Sequence, residues 1–305
     1  MKIALSGARG FIGQGLSNYL QKAEHTLYPL VRHHPVRSDR EIYWDPALGA
    51  IDRDRLEGFD AVIHLAGENL SGYWTSRKKK EIIKSRRDGT MLLSRALADL
   101  NQPPSVLVCA SAIGYYGHRG EEELSESSSR GKGFLADVCS EWEAAADSAR
   151  SAGIRVAHCR FGIILDPAGG ALARLLPLLR LGLAGRLGSG RQYWSWISLE
   201  EVHRALVFVL QQPTLSGPIN FTAPQPVTNA EFTKAAAQIL HRPAFLAAPS
   251  FALRLVLGEM AQEMLLSSAR VMPAKLLAAG YPFQHAEIIS TLRSILKDKP
   301  AATDV

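Results

Sequence analysis

Residues 2–13 read KIALSGARGFIG, and this stretch decides the fold. The short apolar run at 3–5 predicts a strand over residues 2–5, and residues 11–21 show the pattern of a helix. Glycines in the turn between them would let a pyrophosphate approach the backbone, where the first N–H groups of the helix are unpaired. A strand–helix turn without a ligand is the alternative. The context favours a dinucleotide site formed by Gly7, Arg9, Gly10, Phe11, Ile12 and Gly13.

The first half of the chain alternates short apolar runs with helical patterns, which is typical of a parallel sheet with crossover helices. Further strands are predicted at 27–31, 42–44, 61–66, 106–110 and 156–161, and helices at 76–100 and 133–152. Six such strands predict an α/β fold with a Rossmann-type doubly wound parallel sheet. After about residue 228 the chain is mostly helical, with prolines between the segments.

The cofactor type is determined at the end of the second predicted strand, where residues 31–34 read VRHH. A protein that prefers NAD usually carries Asp or Glu there to bind the ribose hydroxyls, whereas here no carboxylate follows Val31 until Asp39. The guanidinium of Arg32 suits a 2′-phosphate, and Arg9 can add a second positive charge. The sequence therefore predicts NADP(H), with Val31 and Arg32 in the site.

The regular alternation of strand and helix patterns ends after the sixth strand, and this change predicts two domains. An NADP(H)-binding Rossmann domain would comprise residues 1–165, with a contribution from about 193–222. Residues 166–192 and 223–298 would form a smaller, mostly helical substrate or cap region, and residues 299–305 a frayed tail.

Composition excludes several other classes of protein. The net charge of +6 has one dense basic run, at 77–80, without the interleaved aromatic residues of a nucleic-acid platform, so we expect a solvated helix face and no nucleic acid. No apolar run approaches the roughly 18 to 20 residues that span a bilayer, so no membrane contact is expected. The three scattered cysteines indicate neither a disulfide framework nor a metal site, and they favour a reducing, cytoplasmic location.

Short motifs distributed over nearly the whole chain form a recognisable set. They are SGARGFIG at 6–13, HLAGEN at 64–69, SR at 85–86, SAIGYYG at 111–117, WEAA at 142–145, GSGRQ at 188–192, WSWI at 194–197, AP at 223–224, NAEF at 229–232 and LGEM at 257–260. This set resembles the extended short-chain dehydrogenase/reductases, and more specifically their atypical YfcH-like epimerase-family branch with its small C-terminal domain. The resemblance implies an NADP(H)-dependent oxidoreductase or epimerase-like enzyme that acts on a small carbonyl or sugar-like substrate.

The resemblance also implies where the reacting residues should lie. The superfamily's usual chemistry needs a Tyr-x-x-x-Lys pair, an upstream Ser and often an Asn on the preceding helix. Here the pair corresponds to Leu135 and Cys139, and the Asn corresponds to Arg86. Only Ser111 remains, and a strand-end cap is its alternative role. Leucine cannot transfer a proton, so the usual Tyr/Lys relay cannot operate.

Other residues must therefore supply the proton if hydride transfer occurs. Tyr115 and Tyr116 follow Ser111 closely and are the first candidates. Of the two, Tyr115 is predicted to be catalytic. Cys139 is a second candidate, because a nearby arginine could make it a thiolate. A small buried hydrophobic residue is the alternative for Cys139.

The remaining site predictions follow from the matched motifs. Leu65, Ala66 and Gly67, with Glu81 and Arg86 on the long helix, are predicted to bind the cofactor, although an ordinary surface ion pair is the alternative for Glu81. Four residues are predicted to face the substrate: Arg160, Gln192, Trp194 and Trp196. The tryptophans would stack on a flat or sugar-like ligand, with burial in a core strand as the alternative. Ser198 stands where many relatives have His, which puts any role of that His in doubt here.

Two functions remain open from the sequence. The first is an enzyme with a small-molecule substrate, acting as a monomer or homodimer. The second is a non-catalytic NADPH-binding sensor or scaffold. The missing Tyr-Lys pair favours the second, and the retained Ser111 favours the first.

Overall fold

The computed structural model describes residues 1–33 and 38–297. The predicted frayed tail, 299–305, lies outside the described residues. The strands are β1 Lys2–Ser6, β2 Thr26–Val31, β3 Ile42–Asp45, β4 Ala50–Ile51, β5 Ala61–His64, β6 Val106–Ala112, β7 Glu123–Leu124, β8 Arg155–Phe161, β9 Ile163–Asp166, β10 Tyr193–Trp194, β11 Trp196–Ser198, β12 Gly217–Phe221, β13 Val227–Thr228 and β14 Arg270–Val271. The helices are α1 Phe11–Lys22, α2 Ser76–Ala98, α3 Phe134–Ala144, α4 Asp147–Ser151, α5 Gly170–Arg180, α6 Leu199–Gln211, α7 Asn229–Leu240, α8 Ser250–Leu257, α9 Ala274–Ala278 and α10 Ile288–Lys297.

An eight-stranded sheet carries the fold, in the order β12-β8-β6-β5-β1-β2-β3-β4. The pairs β1–β2, β1–β5, β2–β3 and β5–β6 are parallel, and the edge strand β4 runs antiparallel to β3. Every residue of β5 is buried, as expected for a central strand that helices cover on both faces. The predicted doubly wound α/β fold is therefore confirmed.

The order of the strands places a topological switch point between β1 and β5. The chain proceeds from β1 to β2 and β3 in one direction, and from β5 to β6 and β8 in the other. In open α/β sheets, ligands bind outside the carboxyl ends of the strands at such a point. The loops that leave β1 and β5 there begin at Gly7 and Leu65.

The described residues cluster into two compact units. Unit 1 comprises 1–115, 134–160 and 203–219, and unit 2 comprises 116–133, 161–202 and the described residues from Asn220 onward. The core of unit 1 packs the central strands against α2, and that of unit 2 packs β10 and β11 against α7 and α10. The domain boundaries drawn from the sequence stay a prediction. None of the helices in the described part of the chain is both long and apolar enough to cross a membrane.

The single helix predicted over 133–152 is wrong, because the structure has two helices there. The backbone N–H of Ala146 bonds to the Glu143 carbonyl three residues earlier, so the helix tightens and α3 ends. The hydroxyl of Ser94 then accepts a hydrogen bond from Ala149 N–H at 2.8 Å. The bend places Ala146 and Ala149 in the core of unit 1, which a straight helix pattern does not indicate.

Candidate functional site

A groove of about 780 Å³ lies at the switch point of the sheet, within unit 1. The glycine turn and the end of β2 line it, together with the loop after β5 and one face of α2. The predicted cofactor residues that line this groove are Gly7, Arg9, Gly10, Val31, Arg32, Ala66, Gly67 and Glu81. The structure therefore brings distant residues together in one groove. The most widely separated of them, Gly7 and Glu81, are 74 positions apart in the sequence.

The glycine turn is closed so tightly that side chains are excluded from it. Gly7 has φ +73°, and a Cβ atom there would lie 2.9 Å from the Leu65 carbonyl carbon. A Cβ atom at Gly13 would lie 2.1 Å from the Gly7 carbonyl oxygen. Gly10 caps α1 with its backbone alone, and no acidic residue occupies the first turn of that helix. The N–H groups at the start of α1 are thus available to an anion.

The two loops of the groove are joined through a buried pair, Ser6 and His64. The Ser6 hydroxyl accepts hydrogen bonds from the Leu65 and Ala66 N–H groups, at 3.1 and 3.3 Å. Both acceptor positions of the hydroxyl are then used, so it donates its own proton to Nδ1 of His64, 2.6 Å away. Burial lowers the pKa of His64 to about 4, so the imidazole is neutral at pH 7. Sequence reasoning missed this pair.

Two arginines bring positive charge to the groove. Arg9 and Arg32 both line it, and both side chains are exposed. Nε2 of His33, the residue after Arg32, lies 2.9 Å from a carboxylate oxygen of Glu41. His34, the last of the predicted run, lies outside the described residues.

The remaining predicted cofactor residues are placed around the same turn. Phe11 begins α1, and the carbonyl of Ile12 accepts a hydrogen bond from His203 Nε2 at 3.1 Å. Glu81 lines the groove but is paired with Arg77 at 2.9 Å in an exposed i,i+4 contact, the surface ion pair that was its alternative. Arg86 lies directly beneath Gly67, with its Cζ 3.4 Å from the position that a Gly67 Cβ would take.

A second cluster of unit 1 surrounds the end of β6. The Ser111 hydroxyl donates to Oε1 of Glu143 at 2.7 Å. The guanidinium of Arg160 binds the same carboxylate with two hydrogen bonds of 2.8 Å, one to each oxygen. The side chains of Arg160 and Glu143 are only 3% and 13% exposed. The result is a buried bidentate ion pair that also fixes the serine hydroxyl.

The two tyrosines after Ser111 have different surroundings. The ring of Tyr115 lies under the Arg160 guanidinium, with Cζ 3.5 Å from the ring centroid, and its side chain is half-buried. Tyr116 is fully buried in unit 2, where its hydroxyl donates to Oδ1 of Asn220 at 2.7 Å. Of the two, Tyr115 is the one that belongs to the Ser111 cluster.

The positions that correspond to the usual Tyr-Lys pair are buried on α3. Leu135 and Cys139 both face Gly114, and the Cys139 thiol donates weakly to the Ala112 carbonyl at 3.6 Å. Burial, followed by the negative charge of Glu143, raises the pKa of the Cys139 thiol to about 11, although Arg86 and Arg160 oppose this shift. A thiolate at pH 7 is therefore disfavoured, which corrects the thiolate hypothesis for Cys139.

The predicted substrate residues of unit 2 are engaged inside that unit. Trp194 and Trp196 are 3% and 1% exposed and belong to its hydrophobic core, beside Phe232. This corrects the stacking hypothesis in favour of the core alternative, because neither indole has a face open to a ligand. The Gln192 amide donates to the carbonyls of Leu187 and Leu265, both at 3.0 Å, and Ser198 accepts from Glu201 N–H at the start of α6.

Glu143 is the residue of this cluster that sequence reasoning did not assign. It lies four and eight positions after Cys139 and Leu135, so all three share one face of α3. A carboxylate on the buried face of a helix requires a partner, and this was the available signal. The sequence alone could not tell that Arg160 and Ser111, from two different strands, meet it there.

Comparison with known proteins fits this geometry. Residues 3–220 match the NAD dependent epimerase/dehydratase family. The chain belongs to that family. Residues 248–295 match a domain of unknown function, DUF1731. This confirms the family resemblance.

Other proteins are similar to this chain both in sequence and in fold. An epimerase family protein of Mycobacterium bovis, Mb2239, is 45% identical over 287 residues, which is 94% of each chain. The chloroplastic epimerase family protein SDR39U1 homolog of Arabidopsis thaliana is 35% identical, over 97% of this chain and 87% of its own. The crystal structure of human epimerase family protein SDR39U1 (isoform 2), which was solved with NADPH, has a TM-score of 0.89 at 32% identity. It covers 98% of this chain and 100% of its own.

Proposed function

We propose that this chain is an NADP(H)-dependent oxidoreductase or epimerase-like enzyme that acts on a small carbonyl or sugar-like compound without the usual Tyr-Lys pair. One observation carries the proposal. The ordered network Ser111–Glu143–Arg160–Tyr115 lies in the same unit as the dinucleotide groove, although Leu135 and Cys139 replace the usual pair. Buried charged networks are a poor source of stability and often mark functional sites, so this network favours a functional role.

The groove fits an NADP(H) molecule. The glycine turn, where a Cβ atom at Gly13 would collide with the Gly7 carbonyl, leaves backbone N–H groups for the pyrophosphate. Arg32 and Arg9 supply positive charge for a 2′-phosphate. The NADPH in the human SDR39U1 structure supports this assignment. When bound, the cofactor supplies or accepts a hydride at its nicotinamide ring.

Tyr115 is the proposed acid/base residue. Reduction of a carbonyl adds a hydride to carbon and a proton to oxygen, and the Tyr115 hydroxyl would give that proton and regain one from water. Arg160 holds the ring in position through its face, and Glu143 holds Arg160. The single proton of the Ser111 hydroxyl is directed to Glu143, so Ser111 presents only acceptor positions to a substrate.

Tyr115→Phe is expected to reduce kcat by about 100-fold and leave the Kd for NADPH unchanged, because it removes one general acid and no cofactor contact. The measurement is transfer of deuterium from 4-deuterated NADPH to a product in a library of carbonyl metabolites. Tyr73→Phe, at an exposed tyrosine, is the matched control. A Tyr115→Phe enzyme with the kcat of the unchanged protein would assign the proton to another donor.

Arg32→Ala is expected to weaken NADPH binding by about 10- to 100-fold, since a charge-assisted contact to the 2′-phosphate would be lost. The Kd for NADH, which lacks that phosphate, should change little. Calorimetry with both cofactors measures the two effects, and Arg40→Ala, at an exposed arginine nearby, is the control. Comparable dissociation constants of the unchanged protein for NADPH and NADH would contradict the preference.

A second function, a non-catalytic NADPH sensor or scaffold, is favoured by the replacement of the Tyr-Lys pair with Leu135 and Cys139. The same deuterium experiment separates the two. Tight NADPH binding with no deuterium in any product would support the sensor.

The remaining assignments belong to the same proposal. They are the division into a cofactor domain at 1–165 with about 193–222 and a cap region at 166–192 and 223–298, a monomeric or homodimeric state, and a cytoplasmic location. The three free, buried cysteines support the location, since they are compatible with a reducing compartment.

A further inference from the structure

Arg86 is a buried cation that forms no ion pair with any residue the structure describes. Arg86 lies on α2, and the residue is only 8% exposed. Within the described residues its guanidinium has one hydrogen bond, from Nη1 to the Ile82 carbonyl at 3.3 Å, and lies 4.9 Å from the Trp142 ring centroid. It forms no ion pair there: Glu68 is near enough to raise the Arg86 pKa, but its carboxylate is paired with Lys78. Burial lowers the pKa of Arg86, as expected for a charge taken from water without full compensation.

One side of the guanidinium lies against Gly67, a residue that lines the groove. Gly67 is exposed and lines the groove, and a Cβ atom there would lie 3.4 Å from Arg86 Cζ and 3.5 Å from Nη2. A side chain at Gly67 would therefore lie directly against the cation, and its absence leaves that side of the guanidinium without side-chain cover from this position. A ligand oxygen in this position would be within reach of the guanidinium.

The other neighbours of Arg86 place it near the Ser111 cluster. Arg86 is close enough to Cys139 to oppose the rise in that thiol's pKa, and the thiol donates to the Ala112 carbonyl, next to Ser111. Arg32, the proposed partner of the 2′-phosphate, directly follows β2, which lies on the other side of β1. Arg86 therefore lies on the β5–β6 side of the groove, where the proposed reacting residues also lie.

We propose that Arg86 binds an oxyanion of the substrate, so that the substrates of this chain are carbonyl compounds that carry a carboxylate or a phosphate. This inference rests on the proposed function and specifies its substrate class. Guanidinium groups bind both oxyanions through paired N–H donors, and a buried cation without a counter-ion binds them more strongly than an exposed one.

The test compares two matched pairs of probes on the full chain saturated with NADP⁺, which cannot reduce them. Pyruvate is compared with pyruvamide, and dihydroxyacetone phosphate with dihydroxyacetone, by calorimetry. The charged member of at least one pair should bind about 10-fold tighter or more. The pair that shows the difference identifies a carboxylate or a phosphate as the natural group.

Two variants attribute that difference to Arg86. Arg86→Met removes the charge, and Gly67→Ala keeps the charge but covers it with a methyl group, so both should abolish the preference for the charged probe. Arg95→Met, on an exposed part of the same helix, should leave the preference intact. Because Gly67→Ala retains Arg86, a folding defect of Arg86→Met does not prevent the test.

Three results would overturn the inference. They are equal binding of the charged and neutral probes, no binding of any probe, and a preference that survives Arg86→Met while NADP⁺ binding weakens, which would assign the guanidinium to the cofactor. Failure of the proposed function is a separate result. If the charged probe binds through Arg86 but no deuterium reaches a carbonyl product from 4-deuterated NADPH, the oxyanion site stands and the enzyme assignment fails.

Discussion

Glu143→Ala should lower the free energy of unfolding by about 3–5 kcal/mol, the usual cost of removing one partner of a buried ion pair. The carboxylate binds Arg160 through both oxygens and accepts a hydrogen bond from the Ser111 hydroxyl. Without it, a guanidinium that is 3% exposed loses both carboxylate contacts. The Ser111 hydroxyl loses its acceptor, and the ring of Tyr115 loses the fixed cation above it. Carbonyl reduction should fall below detection in the same variant.

Urea unfolding and deuterium transfer measure these two effects. Glu141→Ala is the matched control, because Glu141 lies on the same helix with a half-exposed side chain. Glu143→Gln should recover part of the stability, since an amide oxygen still accepts one hydrogen bond. Replacing both Glu143 and Arg160 with Met should cost less than Glu143→Ala alone, because no charge is then left buried. A Glu143→Ala protein as stable as the control would show that the pair does not organise the cluster.

The sequence predicted the glycine turn of the site, which is built from one contiguous segment. Strand, glycine turn and helix are adjacent in the chain, so local geometry determines residues 2–13, and the side that binds the ligand follows from the helix N-terminus. The doubly wound order follows in the same way, because crossover connections restrict how parallel strands can be arranged. The Arg32 position is determined by its place at the end of β2.

The part that the sequence did not predict depends on contacts between distant segments. Glu143, Ser111 and Arg160 come from α3, β6 and β8, and no local spacing indicates that they meet. The tryptophans at 194 and 196 show the same limit, since their pattern suits a ligand wall as well as a core strand. Only their burial in the core of unit 2, where Trp194 packs against Phe232, distinguishes the two. For Cys139, the balance between burial and two nearby arginines determines the thiol pKa, and that balance exists only in three dimensions.

The glycine turn gives the second large effect. Gly13→Ala should weaken NADPH binding by at least about 100-fold, because overpacking at this point costs about 3 kcal/mol or more, and each 1.4 kcal/mol is a factor of ten. The added Cβ atom would lie 2.1 Å from the Gly7 carbonyl oxygen, much closer than any such contact allows. Gly7 itself packs closely against the loop after β5, since a Cβ atom there would lie 2.9 Å from the Leu65 carbonyl carbon, so the turn has little room to yield on that side. The turn must therefore open and carry the N–H groups of α1 out of position.

A graded series separates this distortion from a general loss of stability. Gly10→Ala places its Cβ atom 3.1 Å from the same Gly7 oxygen, so a shift of a few tenths of an ångström relieves the contact, and the loss of affinity should be much smaller. Asn18→Ala, at an exposed position of α1, should leave NADPH binding unchanged. Calorimetric dissociation constants, together with thermal unfolding of each variant without cofactor, provide the comparison. If Gly13→Ala and Gly10→Ala bound NADPH equally well, the close approach of α1 to β1 would not be what forms the pyrophosphate site, and the cofactor would have to be held mainly by Arg9 and Arg32.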